Sequence, residues 1–314
     1  MSSSQNGHAE LNGSASSPHM PAATISAFEA ETDLVSPVHA VPLYRGPERR
    51  RLTIVPASHE ATGSNGHGDR KVATSNPKRT AARRPSKRPT VSLVIPAKNE
   101  ARNLPTVLSQ IPPRVDEVIL IDGSSTDVTQ LMARTCMPDI RIVPQDKRGK
   151  GHALRAGFEA ARGDIIVAMD ADGSMAAEEI PNFVYFLEHG YDFVKGSRFV
   201  AGGGSLDLTP LRRLGNRGLL AVANTLFHAR MTDLCYGFFA FYRRYLDHLD
   251  LVSSGFEIET ELTIRALVSG LRVAEVPSLE MPRRSGRSNL RSFPDGVRVL
   301  RTILREHKAG AARS

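Results

Sequence analysis

Ile165-Ile166-Val167-Ala168-Met169-Asp170-Ala171-Asp172 decides the fold. An unbroken apolar run, short and rich in branched side chains, reads as a strand buried on both faces. Two carboxylates one residue apart follow at once, so they stand at the carboxyl end of that strand. In an open parallel sheet ligands bind along this edge. Two hard oxygen ligands there suit Mg²⁺ or Mn²⁺, which prefer carboxylates, waters and substrate phosphates. The stretch therefore predicts an α/β sheet that presents a metal-bound diphosphate.

Strand and helix signals alternate on both sides of it. Before it come a strand over 91–95, a helix over 102–111, a strand over 117–121, a helix over 126–135, a short strand over 140–143 and a helix over 150–161. A helix over 177–189 follows. Such a β-α-β-α order predicts a mostly parallel sheet covered by helices on both faces. Right-handed crossovers then bring every strand's carboxyl end to one edge. The rhythm weakens after Tyr191, where the pattern gives a helix over 211–228, a strand over 238–242, a helix over 257–269, a strand over 272–276 and a closing helix over 293–307. There is no internal repeat.

The chain has 314 residues, a formal net charge of +8 and a sequence pI near 9.8. That balance fits an anionic partner. Cys136 and Cys235 lie far apart and form neither a disulfide framework nor a zinc pattern, so both read as ordinary buried thiols in a reducing, cytoplasmic setting. No apolar run reaches the roughly 18 residues of a spanning helix, and the polar start does not read as a secretory signal. Membrane contact is therefore expected only as peripheral contact, at the inner face of the plasma membrane.

Residues 1–89 are rich in Ser, Ala, Pro, Gly and Asn and lack periodicity. Such a stretch buries too little apolar surface to offset its ordering entropy, and it reads as a disordered tail ahead of a folded domain over 90–314. A basic island over 44–51 and the run Lys78, Arg79, Arg83, Arg84, Lys87 and Arg88 read as a solvated linker. The alternative is a tether to an anionic membrane surface. Aromatic residues scarcely interleave with these charges, which argues against nucleic acid.

Four loops converge on the carboxyl edge in the expected sheet. Pro96-Ala97-Lys98-Asn99-Glu100 follows the first strand and can reach a ribose or base. Asp122-Gly123-Ser124-Ser125-Thr126-Asp127 follows the second; Asp122 is placed to accept hydrogen bonds from a nucleobase, and Ser125 or Thr126 to cap the next helix. Lys147-Arg148-Gly149-Lys150-Gly151 opens a helix, where glycines and free N–H groups can admit a diphosphate. Asp170-Ala171-Asp172 is the fourth.

In these stretches, and in Val194-Lys195-Gly196-Ser197-Arg198, Thr232-Asp233-Leu234-Cys235-Tyr236-Gly237, Gly255-Phe256-Glu257-Ile258-Glu259 and Val273-Ala274-Glu275-Val276-Pro277, the sequence resembles the family 2 glycosyltransferases. Within them it is most similar to the dolichol- or polyprenyl-phosphate mannosyltransferase-like branch. The resemblance spans residues 91 to about 291. It implies a GT-A (Rossmann-like) fold and inverting transfer of a hexose from a nucleoside diphosphate sugar, of the GDP-mannose or UDP-glucose type, to a polyprenyl phosphate. Pro96, Ala97, Asn99, Glu100 and Asp122 would line the nucleoside site. Lys150 and Arg198 would add positive charge near the phosphates, with Mg²⁺ or Mn²⁺ on Asp170 and Asp172. One departure stands out: the family commonly shows two adjacent aspartates in the second loop, and here the second is Gly123.

On the acceptor side, Arg212, Arg213 and Arg217 open a helix where the branch binds its acceptor phosphate; an ordinary solvated helix face is the alternative. A phosphate acceptor needs no strong base. A hydroxyl of an envelope glycan or lipid would need a carboxylate, and Asp233 and Glu259 are the candidates. Glu257 and Glu261 share one helix face and Glu259 points elsewhere. The loop from Arg283 to Arg291, including Arg287, reads as a basic lid. A nucleotidyltransferase would need a Gly-rich first loop that is absent here. A nucleotide-binding module without turnover would not need the Asp170/Asp172 pair.

Overall fold

The structure is a computed structural model and describes residues 88–286, 288 and 290–311. The expected tail with its basic residues up to Lys87, and Arg287 in the expected lid, lie outside these residues. Residues 88–90 are joined to the folded chain. Arg88 pairs with Asp116 at 2.8 Å, and the Thr90 backbone N–H and hydroxyl both donate to Asp164.

In chain order the elements are β1 (Val91–Ala97), α1 (Leu104–Ser109), β2 (Glu117–Asp122), α2 (Thr129–Cys136), β3 (Arg141–Pro144), α3 (Lys150–Ala160), β4 (Ile165–Ala168) and α4 (Ile180–Glu188). There follow β5 (Phe193–Ser197), β6 (Gly204–Ser205), α5 (Pro210–Phe227), β7 (Phe239–Tyr242), α6 (Leu246–Leu249), α7 (Ile258–Val268), β8 (Val273–Pro277), β9 (Leu279–Glu280) and α8 (Ser292–Ala311). Seven strands form one sheet in the order β3-β2-β1-β4-β7-β5-β8. All run parallel except β7, which pairs antiparallel with both β4 and β5. β6 and β9 make a separate two-stranded ribbon.

Side chains alternate across the sheet with period two. Val94, Ile119, Ile121, Ile166 and Ala168 pack under α3, α5, α7 and α8. Leu93, Ile95, Leu120, Ile165 and Val167 pack under α1, α2 and α4. Both faces are covered, which is why these strands are apolar throughout. The aromatic run is core, as its β-rich composition suggests: Phe238, Phe239 and Phe241 are buried, and Phe158 meets Phe241 edge to face at 5.3 Å.

The chain after β4 differs most from the expected order. β5 was not anticipated, because Val194-Lys195-Gly196-Ser197 lacks an apolar run. Lys195 is nevertheless fully buried, its ammonium donating to the Tyr236 carbonyl. Neither Ser125 nor Thr126 caps α2: Asp127 accepts from the Thr129 N–H at 3.0 Å instead. Cys136 is exposed rather than buried.

Candidate active site

The sheet order turns between β1 and β4: β2 lies on one side of β1, and the chain returns on its other side through β4. Ligands bind in the crevice that such a switch point leaves at the carboxyl ends. A cleft of about 1020 Å³ opens there. Pro96, Ala97 and Lys98 from the end of β1 line it together with Asp170 and Asp172 from the end of β4. Its far wall comes from one face of α5 and the start of α8.

Lys150 is the electrostatic centre. Its Nζ lies 2.6 Å from Asp170 Oδ1 and 2.6 Å from Glu259 Oε1. Burial alone would lower the Lys150 pKa, but the Asp170 and Glu259 carboxylates outweigh it and raise it above the usual lysine range. Burial raises Asp170 against the pull of Lys150, and the like charges of Asp172 and Glu259 add to it, to about 6. Gly237 makes room for this triad: a Cβ there would stand 2.5 Å from Glu259 Oε1 and 2.9 Å from Lys150 Nζ.

The glycines beside Lys150 serve packing instead of opening the backbone to a diphosphate. Gly149 adopts φ +117°, open to glycine at little cost, and a Cβ on it would lie 2.1 Å from the Ser254 carbonyl oxygen. The Gly151 N–H is already spent on that carbonyl, at 2.9 Å.

A second cation sits on the acidic pair. Arg283 Nη2 is 3.2 Å from Asp172 Oδ2, and its Nη1 is 2.8 Å from Glu100 Oε1. The loop that carries it is fastened to the Asp-x-Asp turn through Met281 N–H to the Ser174 carbonyl and Arg284 N–H to the Asp172 carbonyl. Asp170 thus shares Lys150 with Glu259, and Asp172 shares Arg283 with Glu100, so four carboxylates meet two basic side chains. Among the described residues no group of three or more His, Cys, Asp or Glu could hold a metal ion. The donor set, two carboxylates beside open cleft, fits Mg²⁺ or Mn²⁺, which complete their shells with water and phosphate oxygens, and does not fit an all-protein cage.

Arg198 is buried in a carboxylate clamp. Its Nε and Nη2 reach Asp233 at 2.7 and 3.0 Å, and its Nη1 reaches Glu280 at 3.1 Å. Asp233 has a fully buried side chain and does not line the cleft. Its backbone N–H donates to Glu275 at 2.9 Å. Both Asp233 oxygens are held by Arg198, so the structure places it against that guanidinium and not on the cleft wall, where a catalytic base was expected. Glu259 does face the cleft, while Glu257 and Glu261 turn to backbone N–H groups at 254–255 and 252–253.

Two expected nucleoside residues do not line the cleft. Asp122 is buried and accepts from Gln130 Nε2 at 2.7 Å and from the Ser125 N–H at 3.3 Å. Asn99, at φ +57°, accepts from the Thr126 N–H at 2.8 Å. Asn99 ties the first loop to the second and Asp122 braces the second, whereas Pro96, Ala97 and Glu100 line the cleft.

The three arginines of α5 also separate. Pro210 and the Thr209 hydroxyl, which accepts from the Arg212 N–H at 3.3 Å, start the helix. Its 3.6-residue period turns Leu211, Arg212, Gly215, Asn216 and Leu219 to the cleft and leaves Arg213 and Arg217 exposed on another face. Residues that the sequence did not single out include Gln145, Glu280 and Phe293, all on the cleft wall. They come from segments far apart in the chain, and no local pattern marks them.

The model of the family described as Glycosyl transferase family 2 matches residues 92–250. A dolichyl-phosphate hexose transferase of Haloferax volcanii is 30% identical over 218 residues, which is 68% of this chain and 92% of that protein. A polyprenol monophosphomannose synthase of Mycolicibacterium smegmatis is 34% identical over 224 residues, or 66% of this chain and 82% of that one. Two other relatives are longer, and the chain spans 53% and 59% of their lengths. Among solved structures, glucosyl-3-phosphoglycerate synthase from Mycobacterium tuberculosis, in complex with Mn²⁺, UDP-glucose and phosphoglyceric acid, superposes with a TM-score of 0.57 at 27% identity. That match covers 70% of this chain and 80% of the synthase.

Proposed function

This chain belongs to glycosyl transferase family 2, and on that premise we propose that it moves a hexose from a nucleoside diphosphate sugar, of the GDP-mannose or UDP-glucose type, to a polyprenyl phosphate. The observation that carries the reading is the Asp170/Asp172 pair at the switch point, each carboxylate contacting a cation from another loop that it shares with a second carboxylate. Two cations shared among four carboxylates leave this end of the cleft net negative, which suits a divalent cation that carries a diphosphate. The named activities of the two relatives and the Mn²⁺ and UDP-glucose of the structural neighbour support the same reading.

Asp170 and Asp172 would hold Mg²⁺ or Mn²⁺. When bound, the ion would offset the negative charge that builds on the leaving diphosphate. Lys150 keeps a fixed positive charge beside it. Arg198, immobilised by Asp233 and Glu280, aims a preorganised guanidinium at the cleft. Arg212 faces the cleft from α5 and is the group that would meet the acceptor phosphate. That acceptor is already anionic and needs no base.

A peripheral membrane position fits the surface beside the cleft mouth. Leu211, Leu214 and Phe293 are 73%, 69% and 82% exposed, and Arg213 and Arg217 are exposed beside them. Apolar side chains ringed by arginine suit the interface of an anionic bilayer. Among the described residues no helix is long and apolar enough to cross a membrane.

A second reading keeps the donor and gives the hexose to a hydroxyl of an envelope glycan or lipid. Glu259 favours it, since it faces the cleft and could accept the hydroxyl proton. The test supplies labelled GDP-mannose and UDP-glucose with Mn²⁺, with and without a polyprenyl phosphate, and follows label into the organic phase. Acceptor-dependent transfer supports the phosphate reading. Donor turnover with no lipid product, rescued by a hydroxyl acceptor, supports the second.

A further inference from the structure

The nucleoside end of the cleft lacks the carboxylate expected to read a base. Asp122 is turned away and held by Gln130 and Ser125. Gly123 follows it on the cleft wall, at the position where a second aspartate would be usual. Gln145, from the segment after β3, fills the space that Gly123 leaves. A Cβ on Gly123 would lie 3.1 Å from Gln145 Oε1, 3.3 Å from the Ala97 carbonyl oxygen and 3.3 Å from Lys98 Cβ. Gln145 is tied to the second loop through its backbone, its N–H donating to the Asp122 carbonyl at 3.0 Å.

The Gln145 amide has a fixed orientation. Its Nε2 donates to the Gly149 carbonyl at 2.7 Å and also to the Lys147 carbonyl. An amide oxygen could not face two carbonyl oxygens, so the group cannot flip. The NH₂ end is spent on the Lys147–Lys150 turn, and Oε1 is left on the side of Gly123 and the cleft. Gln145 therefore offers this end of the cleft an acceptor and no donor. Around it, Pro96, Ala97 and Gly123 give a low wall on which a planar ring can lie.

We propose that Gln145 is the base-reading residue of the donor site, its Oε1 accepting the ring N–H of an imide or lactam base. The inference rests on the reading of the cleft as a sugar-nucleotide site. Uracil and guanine carry such an N–H. Cytosine and adenine present a lone pair on the corresponding ring nitrogen, which would face the Gln145 oxygen with no proton between them. The site thus selects uridine or guanosine diphosphates over cytidine and adenosine diphosphates. Asp122 acts one step back, by holding the second loop in place.

The experiment measures calorimetric affinities of the full chain for UDP, GDP, CDP and ADP with Mn²⁺. It repeats them for Gln145→Ala and for Gln145→Met, which keeps the side-chain length without polar atoms. A third arm uses the ring-N-methylated form of whichever of UDP and GDP binds tighter. The wild-type chain should favour UDP or GDP by about tenfold over CDP and ADP, the scale of one hydrogen bond. Both variants should cut that preference to about twofold. N-methylation should weaken wild-type binding by about tenfold or more and the variants far less, the non-additivity that marks a direct contact. If the variants weaken all four nucleotides equally and the preference persists, Gln145 only braces the Lys147–Lys150 turn and the proposal falls. A wild-type preference for CDP or ADP overturns it as well. If the wild-type chain binds none of the four, the sugar-nucleotide reading fails and takes this inference with it.

Discussion

Lys150→Met removes the cation that Asp170 and Glu259 share. The two contacts are both 2.6 Å, with side-chain exposures of 9% for Lys150, 6% for Glu259 and 28% for Asp170. Truncating one partner of a fully buried ion pair costs about 3–5 kcal/mol, mostly from the charge left behind. Water reaches Asp170 and screens one of the two contacts, which brings the expected loss to about 2–3 kcal/mol. For a domain of this size each kcal/mol moves Tm by roughly 2–4 °C, so the variant should melt roughly 5–10 °C below the wild type. The folded Lys150 pKa lies above the usual value, so its stabilisation is complete at neutral pH and would be lost only in strong alkali. Asp170 stands at about 6 with Lys150 pulling it down, and rises further without it. The deficit should therefore be largest above neutral pH and shrink as pH falls through the neutral range and Asp170 takes up a proton. Differential scanning fluorimetry and near-UV circular dichroism in EDTA give both curves. Added Mn²⁺ should raise Tm more in the variant than in the wild type, because a cation at Asp170 replaces the missing charge. A variant that melts within about 2 °C of the wild type, inside the range of an ordinary surface substitution, would refute the assignment of Lys150 as the charge that holds this floor together.

Three further outcomes follow from the geometry. Gly237→Ala places a methyl group 2.5 Å from Glu259 Oε1; transfer should fall more than about tenfold while the overall fold persists at a cost of about 1–3 kcal/mol, and steady-state kinetics with a melting curve check both. Arg283→Ala frees Asp172 and Glu100 of their cation; Mn²⁺ should bind more tightly in a metal titration followed by electron paramagnetic resonance, and unchanged binding would show that Arg283 does not compete for the site. Asp192 accepts from Arg272 and from the Tyr245 hydroxyl, and although burial opposes it, these bonds hold its pKa below the usual value. Its stabilisation is therefore present above the ordinary carboxylate pKa and lost as pH falls through the lowered one. Asp192→Asn should cost about 1–2 kcal/mol at neutral pH, discounted because Arg272 is largely exposed, and denaturant midpoints of the two proteins should converge in acid.

The first half of the fold was legible because each strand there is a short apolar run and each helix has a face. The Asp170/Asp172 pair could be placed from the strand that precedes it. The second half was harder: β5 carries a buried lysine and a glycine, and β7 enters the sheet in reverse between two strands distant from it in sequence. Polar side chains at the site were legible only in part. Asp122 and Asn99 have the right chemistry and loop position, but Asp122 is buried against Ser125 and Gln130, and the exposed Asn99 spends its amide oxygen on Thr126. The glycines at 149 and 151 read as a phosphate loop and instead accommodate the Ser253–Ser254 backbone. Lys150 meeting Glu259, and Arg283 meeting Asp172, join segments about a hundred residues apart, which no spacing rule can bring together.

The central claim is that Asp170 and Asp172 hold a metal-bound sugar nucleotide for transfer. Its most direct test is release of nucleoside diphosphate from GDP-mannose and UDP-glucose, with polyprenyl phosphate present, by the wild-type chain and by Asp172→Asn, in Mn²⁺ and in EDTA. The account predicts turnover of one donor by the wild type, abolished by EDTA and reduced at least about a hundredfold in the variant, as expected when a group that stabilises developing charge is lost. Equal turnover by the two proteins, or turnover that persists in EDTA, would contradict it.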